Sequence, residues 1–392
     1  MINFEYMAPT KVIFGKGAEN QVGQEIKARG GTKVLIHFGG NRLYKDGTLD
    51  RIHKSLSDSG ISYVDFGGVV PNPRMALVKE GIALCRKEGV DFILAVGGGS
   101  PIDSSKAIAY GLANDFDIDD LFLGKAKTDK IFPLGCISTI AATGSETSNS
   151  CVITLEDGLL KRAYNHDCAR PLFAIMNPEM TYSLPAYQTA SGAADIMMHT
   201  MERYFTNTQD VALIDSMAEG LLVSVRDAAP EALKTPNDYN ARATLMWAGS
   251  LSHNGLLGTG RVTDFASHKI EHELGGMFDV THGAGLCAVW GSWARYVYKT
   301  NVNRFAQFAV KVFGVTANYQ NLEETAIKGI EAWEEWCRKI TMPTSITELG
   351  INPTESQIRE MALKATNNDT VKIGGFLPLD AKMIEDILTM AL

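Results

Sequence analysis

The chain carries eight histidines, and four of those in its second half fall into a pattern with an aspartate. In Ala194-Asp195-Ile196-Met197-Met198-His199 the aspartate and the histidine stand four residues apart in a helical stretch, so both face the same way. His268 and His272 repeat that spacing in DFASHKIEHELGG, and His282 follows just before Gly283. One carboxylate and three imidazoles close around a divalent cation at about 2.0–2.2 Å and leave a position for a substrate oxygen. Asp195, His199, His268 and His282 are the ligand set this spacing selects. His272, one turn past a ligand, is left as the non-ligand imidazole beside the metal. His37, His53, His166 and His253 stand alone and read as ordinary core or surface residues. Glu202, Glu271 and Glu273 read as solvated or structural, and Asp279 as either orienting His282 or capping a turn.

A second feature lies in the first half. The apolar run Asp91 to Val96 leads into Gly97-Gly98-Gly99-Ser100-Pro101 and then a helical pattern. Glycines let a ligand approach the backbone, Ser100 suits a helix cap and Pro101 the first turn. The helix start then offers N–H groups and a positive dipole end to a phosphate or pyrophosphate. A second loop, Ser138 to Glu146 (STIAATGSE), follows another strand and spaces hydroxyls for a phosphate, a ribose or an amide. The first strand ends in Gly39-Gly40-Asn41, with Arg42 and Lys45 close behind. An acid in that place grips the adenosine ribose in NAD-selective folds. Small neutral residues here favour NADP(H), with NAD(H) still possible, and Asp46 lies too far along to change that preference.

These residues need a scaffold. Short continuous apolar runs at 32–38, 63–70, 91–96 and 132–140 alternate with helical periods at 44–58, 75–88 and 101–112, which indicates a parallel sheet covered on both faces. Ser150 to Leu155 and Pro171 to Met176 read as further strands of the same domain. After Leu184-Pro185 helical periods dominate, at 191–206, 209–228, 240–255, 262–274 and 322–339. The fold expected is α/β plus all-α: a parallel-sheet dinucleotide-binding domain over 1–184, an all-helical metal-binding domain over 185–392, and an active site in the cleft between them.

Composition narrows the class. The 392 residues are 45% hydrophobic and 21% charged, which suits a globular protein. A net charge of -8 with no basic cluster argues against a nucleic-acid partner. Six scattered cysteines without a CxxC read as reduced thiols of a cytoplasmic protein. No long apolar stretch suggests a membrane span, and the N-terminus shows no signal-peptide pattern.

Taken in order, KVIFGKGA, the PNP turn, GGGSPIDSSKAIA, TIAATGSETS, AADIMMHTMERYF, DFASHKIEHELGG and THGAGL resemble the iron-containing (type III) alcohol dehydrogenase family over almost the whole chain, most closely its NADP-dependent butanol dehydrogenase branch. The resemblance implies hydride transfer between NAD(P)H and an aldehyde or primary alcohol. It implies Asp195, His199, His268 and His282 as ligands of one divalent metal, Fe2+ ahead of Zn2+, with His272 as the acid–base residue. It places Gly98, Gly99, Ser100 and Asp103 around the pyrophosphate. Thr139, Thr143 and Ser145 line the cofactor, Lys161 and Leu184 lie near it, and Gly39, Gly40 and Asn41 fit the NADP branch. A homodimer is the assembly implied. A competing reading is a metal- and NAD-dependent carbon–oxygen lyase resembling dehydroquinate synthase, which uses a Glu with two His and a basic substrate pocket.

Overall fold

In the computed structural model, which describes Met1–Leu392, the first half alternates strand and helix. The order is Lys11–Phe14 (β1), Val22–Lys27 (α1), Lys33–Phe38 (β2), Arg42–Lys45 (α2), Thr48–Asp58 (α3), Ser62–Phe66 (β3), Met75–Glu88 (α4), Phe92–Gly97 (β4), Gly99–Ala113 (α5), Ile118–Phe122 (α6), Leu134–Ser138 (β5), Ser150–Leu155 (β6), Leu160–Asn165 (β7) and Phe173–Met176 (β8). Six strands pair in parallel in the order β1-β8-β5-β4-β2-β3. The central strands β4 and β5 are buried along their whole length, as continuous apolar runs require. Alternate residues serve opposite faces. Val34, Ile36, Leu94 and Val96 pack with Val22, Ile26, Leu49, Ile52 and Leu56 of α1 and α3. Leu35 and Ile93 pack with Met75, Val78, Ile82 and Ile108 of α4 and α5.

Two local expectations need correction. The helical period at 44–58 is broken at Gly47, whose φ of 71° starts a fresh helix. The 150–155 segment is a strand, but it stands outside the sheet, pairing antiparallel with β7. Strand β7 (LKRAYN) has no apolar run, and Lys161 alone along it is buried, so its sequence is short, polar and ambiguous.

The second half contains Ala186–Tyr204 (α7), Ala212–Lys234 (α8), Tyr239–His253 (α9), Ala266–Phe278 (α10), His282–Val297 (α11), Val302–Phe313 (α12), Leu322–Lys339 (α13), Glu355–Ala365 (α14) and Ala381–Met390 (α15). Helix α7 is buried on every side from Thr189 to Tyr204, which makes it the central helix of its unit. Phe205, Trp290, Trp293, Phe305, Phe308 and Trp333 form an aromatic core through ring contacts of 4.5–6.2 Å. Trp290 lies within this core, 1% exposed.

The chain divides into two compact units. One comprises Met7–Leu184 with Asn237–Ser250, and the other Met1–Tyr6, Pro185–Pro236 and Leu251–Leu392. Two segments thus depart from a single cut at 184/185. Most of α9 belongs with the sheet, where Trp247 meets the Phe14 ring, Tyr239 carries the Lys16 ammonium and the Ser250 hydroxyl donates to Glu146 at 2.6 Å.

Candidate active site

Helix α7 carries Asp195 and His199, α10 carries His268 and His272, and α11 starts at His282. The first turn of α11 can approach α7 because residue 283 is glycine: a Cβ there would stand 2.0 Å from the Ser191 carbonyl oxygen. One oxygen, Asp195 Oδ1, lies 3.5 Å from His199 Nδ1, 3.7 Å from His268 Nε2 and 3.6 Å from His282 Nε2. The donor atoms of Asp195, His268 and His282 all lie within 4.8 Å of one another. His199 touches the set through Asp195 but stands outside that tight triad.

Asp195 Oδ1, His199 Nδ1 and His268 Nε2 are buried without a hydrogen-bond partner. Each such atom costs about 1–3 kcal/mol unless something compensates. A four-coordinate cation with bonds of about 2.1 Å holds its donors about 3.4 Å apart, close to these spacings. The donor set therefore fits a divalent metal. Burial, then the neighbouring His253, His268, Arg203 and His282, hold His199 well below its ordinary pKa, so it is neutral and has a lone pair to offer. Burial acts the same way on His268, but the nearby Asp195 and Glu202 carboxylates outweigh it and push the imidazole up to about 9, so a divalent cation has to displace the Nε2 proton to use that nitrogen.

Of the glutamates read as solvated or structural, Glu202 and Glu271 are structural: each holds an imidazole. Glu202 Oε1 accepts the His268 Nδ1–H at 2.9 Å, and Glu271 Oε2 accepts from His282 Nδ1. Both carboxylates are almost wholly buried. Glu271 thus fills the orienting role considered for Asp279, which instead closes α10 with a left-handed φ of 54°. Spacing held the missed signal: Glu202 is seven residues past Asp195, and Glu271 three past His268, each on the ligand face of its helix. The His272 ring lies 5.8 Å from that of His282, and with Glu271 the two form a second close donor group. His253, read as an ordinary lone histidine, packs its ring 4.0 Å from that of His199.

In the sheet unit the other candidates gather at the carboxyl ends of three neighbouring strands, where open parallel sheets bind ligands. Gly39-Gly40-Asn41 follow β2, Gly97 to Ser100 lie at the end of β4, and Thr139 to Ser145 follow β5. Helix α5 begins at Gly99, with Gly98 and not Ser100 as its cap. The glycines first accommodate protein: a Cβ on Gly98 would meet Ile140 at 2.9 Å, and one on Gly99 would meet Thr143 at 2.5 Å. Asp103 faces inward, accepting from the Ser145 hydroxyl at 2.5 Å and from the Val152 N–H at 3.0 Å. Lys106, fully buried and not anticipated, donates to the carbonyls of Ser145, Ser148 and Ser150 and to the Ser145 hydroxyl. Lys161 is buried on β7 opposite Thr154, and Leu184 closes the unit.

Asp46 pairs with Arg42 at 3.3 Å, and the guanidinium also donates to the Met180 carbonyl, Ser183 and Thr139. Arg42 is therefore a strut between loops.

The sequence profile of iron-containing alcohol dehydrogenases matches residues 9–178, and that of the Fe-containing alcohol dehydrogenase family's C-terminal domain matches 189–392. NADH-dependent butanol dehydrogenase A of Clostridium acetobutylicum is 38% identical over 99% of this chain and 98% of its own. The NADPH-dependent aldehyde reductase YqhD of Escherichia coli is 34% identical over 90% of both chains. The crystal structure of NADH-dependent butanol dehydrogenase A from Thermotoga maritima superposes with a TM-score of 0.95 at 35% identity, covering 100% of this chain and 99% of that one. The chain therefore belongs to the iron-containing alcohol dehydrogenase family, a class of NAD(P)-dependent oxidoreductases, and the lyase alternative finds no support.

Proposed function

We propose that the protein interconverts short-chain aldehydes and primary alcohols, with Asp195, His199, His268 and His282 holding one divalent metal and the carboxyl-end loops of β2, β4 and β5 holding the nicotinamide nucleotide. The observation that carries this reading is the convergence of three buried, partnerless polar atoms on α7 and α10. When bound, the metal supplies Lewis acidity to the substrate oxygen and the nucleotide supplies or accepts the hydride. Asp195 contributes the anion that a cation-binding centre needs. His272 exchanges the alcohol proton with solvent. The start of α5 and the Thr139–Ser145 loop orient the nucleotide. Iron is the metal we assign, with zinc as the alternative that the same N/O donors accept. A homodimer is the assembly we assign, following the family resemblance.

NADP(H) is the cofactor we favour, because no carboxylate stands at Gly39-Gly40-Asn41 to repel a 2′-phosphate. One observation favours NAD(H) instead: Asp46 engages Arg42, so that guanidinium does not stand ready for a phosphate. Metal analysis of purified protein, with initial rates of NADPH and NADH oxidation by butanal, tests the whole reading. Metal-free protein, or no oxidation of either nucleotide, removes it.

A further inference from the structure

The two histidines that face Asp195 through Nε2 share a second feature: each turns its Nδ1 onto a glutamate from a different helix. Glu202 on α7 takes the Nδ1–H of His268 on α10. Glu271 on α10 takes that of His282 on α11. The bonds therefore run as a chain, α7 to α10 to α11, through residues that alternate between ligand and support.

A neutral imidazole has one N–H and one lone pair. A carboxylate is acceptor-only, so placing one at Nδ1 fixes the hydrogen there and leaves the lone pair on Nε2. In both rings Nε2 is the atom directed at Asp195 Oδ1, at 3.7 and 3.6 Å. The Glu202 and Glu271 side chains are 2% and 0% exposed, so water does not compete for their oxygens. Glu202 does one thing more. The same oxygen accepts the backbone N–H of His268 at 2.9 Å. His268 is the third residue of α10, where no helical carbonyl is available to its N–H, and the cap residue Phe265 supplies no side-chain bond. One carboxylate thus sets both where α10 begins and which nitrogen of its first imidazole faces the centre.

We propose that Glu202 and Glu271 are positioning residues that fix the Nδ1–H tautomer of His268 and His282 and link α7, α10 and α11 into one preorganised ligand frame. The proposal rests on the metal reading of this centre. Losing such support costs about 10- to 100-fold in metal affinity. A Gln keeps an acceptor oxygen but drops the charge, whereas a Leu keeps the bulk and drops both.

The test is Zn2+ affinity of the metal-depleted protein by chelator competition, with the Co2+ absorption spectrum as a second readout. Wild type is compared with Glu202→Gln, Glu202→Leu, Glu271→Gln and Glu271→Leu, and thermal melts are recorded for all. We expect the Gln variants to fold, to bind Zn2+ about tenfold more weakly and to show a shifted Co2+ spectrum; the Leu variants should lose about a hundredfold. Should the Leu variants not fold, the Gln pair decides alone. Gln variants with unchanged affinity and an unchanged Co2+ spectrum overturn the proposal while leaving the metal reading intact, and a lowered melt would then mark a purely structural role. Wild type that binds neither Zn2+ nor Co2+ removes the metal reading and this inference with it.

Discussion

Gly283 sits so close to Ser191 that a Cβ on it would lie 2.0 Å from the Ser191 carbonyl oxygen and 2.7 Å from its hydroxyl. The residue before it, His282, begins α11 and faces Asp195. Replacing Gly283 with Ala should push the start of α11 off α7 and carry His282 with it. Overpacking of this kind costs about 1–3 kcal/mol, and a displacement near 1 Å at a reacting centre costs about 100-fold in rate. Thermal melting and kcat/KM with butanal measure both. An unchanged kcat/KM would mean that α11 does not need this close contact.

His268 and His272 share a helix face but should not share a role. His268→Ala should lose metal on dialysis and essentially all activity. His272→Ala should keep its metal and lose ~100- to 10,000-fold in kcat. Metal content and kcat are measured on both at matched pH. The reverse pattern, with His272→Ala metal-free and His268→Ala loaded, swaps the roles.

Gly40 is exposed, and a Cβ there meets nothing within 4 Å, so a larger side chain fits without steric cost. Gly40→Asp adds a negative charge at the end of β2 and should move the kcat/KM ratio toward NADH. A wild-type enzyme that already prefers NADH would refute the NADP(H) assignment, and the Arg42–Asp46 pair would then be its structural explanation.

Lys106 ties the Thr143–Ser150 stretch to α5 through four bonds. Lys106→Met removes the donor, leaves three carbonyls to find others and strips Asp103 of a nearby cation. Breaking a buried charge arrangement costs about 3–5 kcal/mol. Urea unfolding should show that loss, and KM for the nucleotide should rise because the loop is no longer held. An unchanged KM would separate the loop from cofactor binding.

His37 gives the fold an acid limit. Burial, partly offset by its bond to the Phe66 carbonyl, holds it down to about 4. The unfolded chain takes up that proton near pH 6.5, so the neutral form's contribution is complete above 6.5 and is lost as pH falls toward 4. The difference is about 3 kcal/mol. His37→Gln, able to bond Phe66 and Ser104, should flatten the fall in urea midpoint between pH 7 and 4.5. An equally steep fall in the variant would show that other groups set the acid limit.

Residue type and spacing alone determined that this chain would have a two-faced parallel sheet, a glycine turn suited to phosphate and an Asp/His set suited to a metal. Those features are local: an apolar run, three glycines or an i, i+4 pair declares itself within one or two turns. What tertiary structure decided is how distant residues meet. Glu202 and Glu271 look like surface acids until α7, α10 and α11 pack, and then no water remains for them and their partners are imidazoles. Asn237–Ser250 looks like part of the helical half, yet its rings and Ser250 find partners in the sheet unit. In both cases a carboxylate or a ring takes its role from a partner on another element, which no local pattern in the sequence reveals.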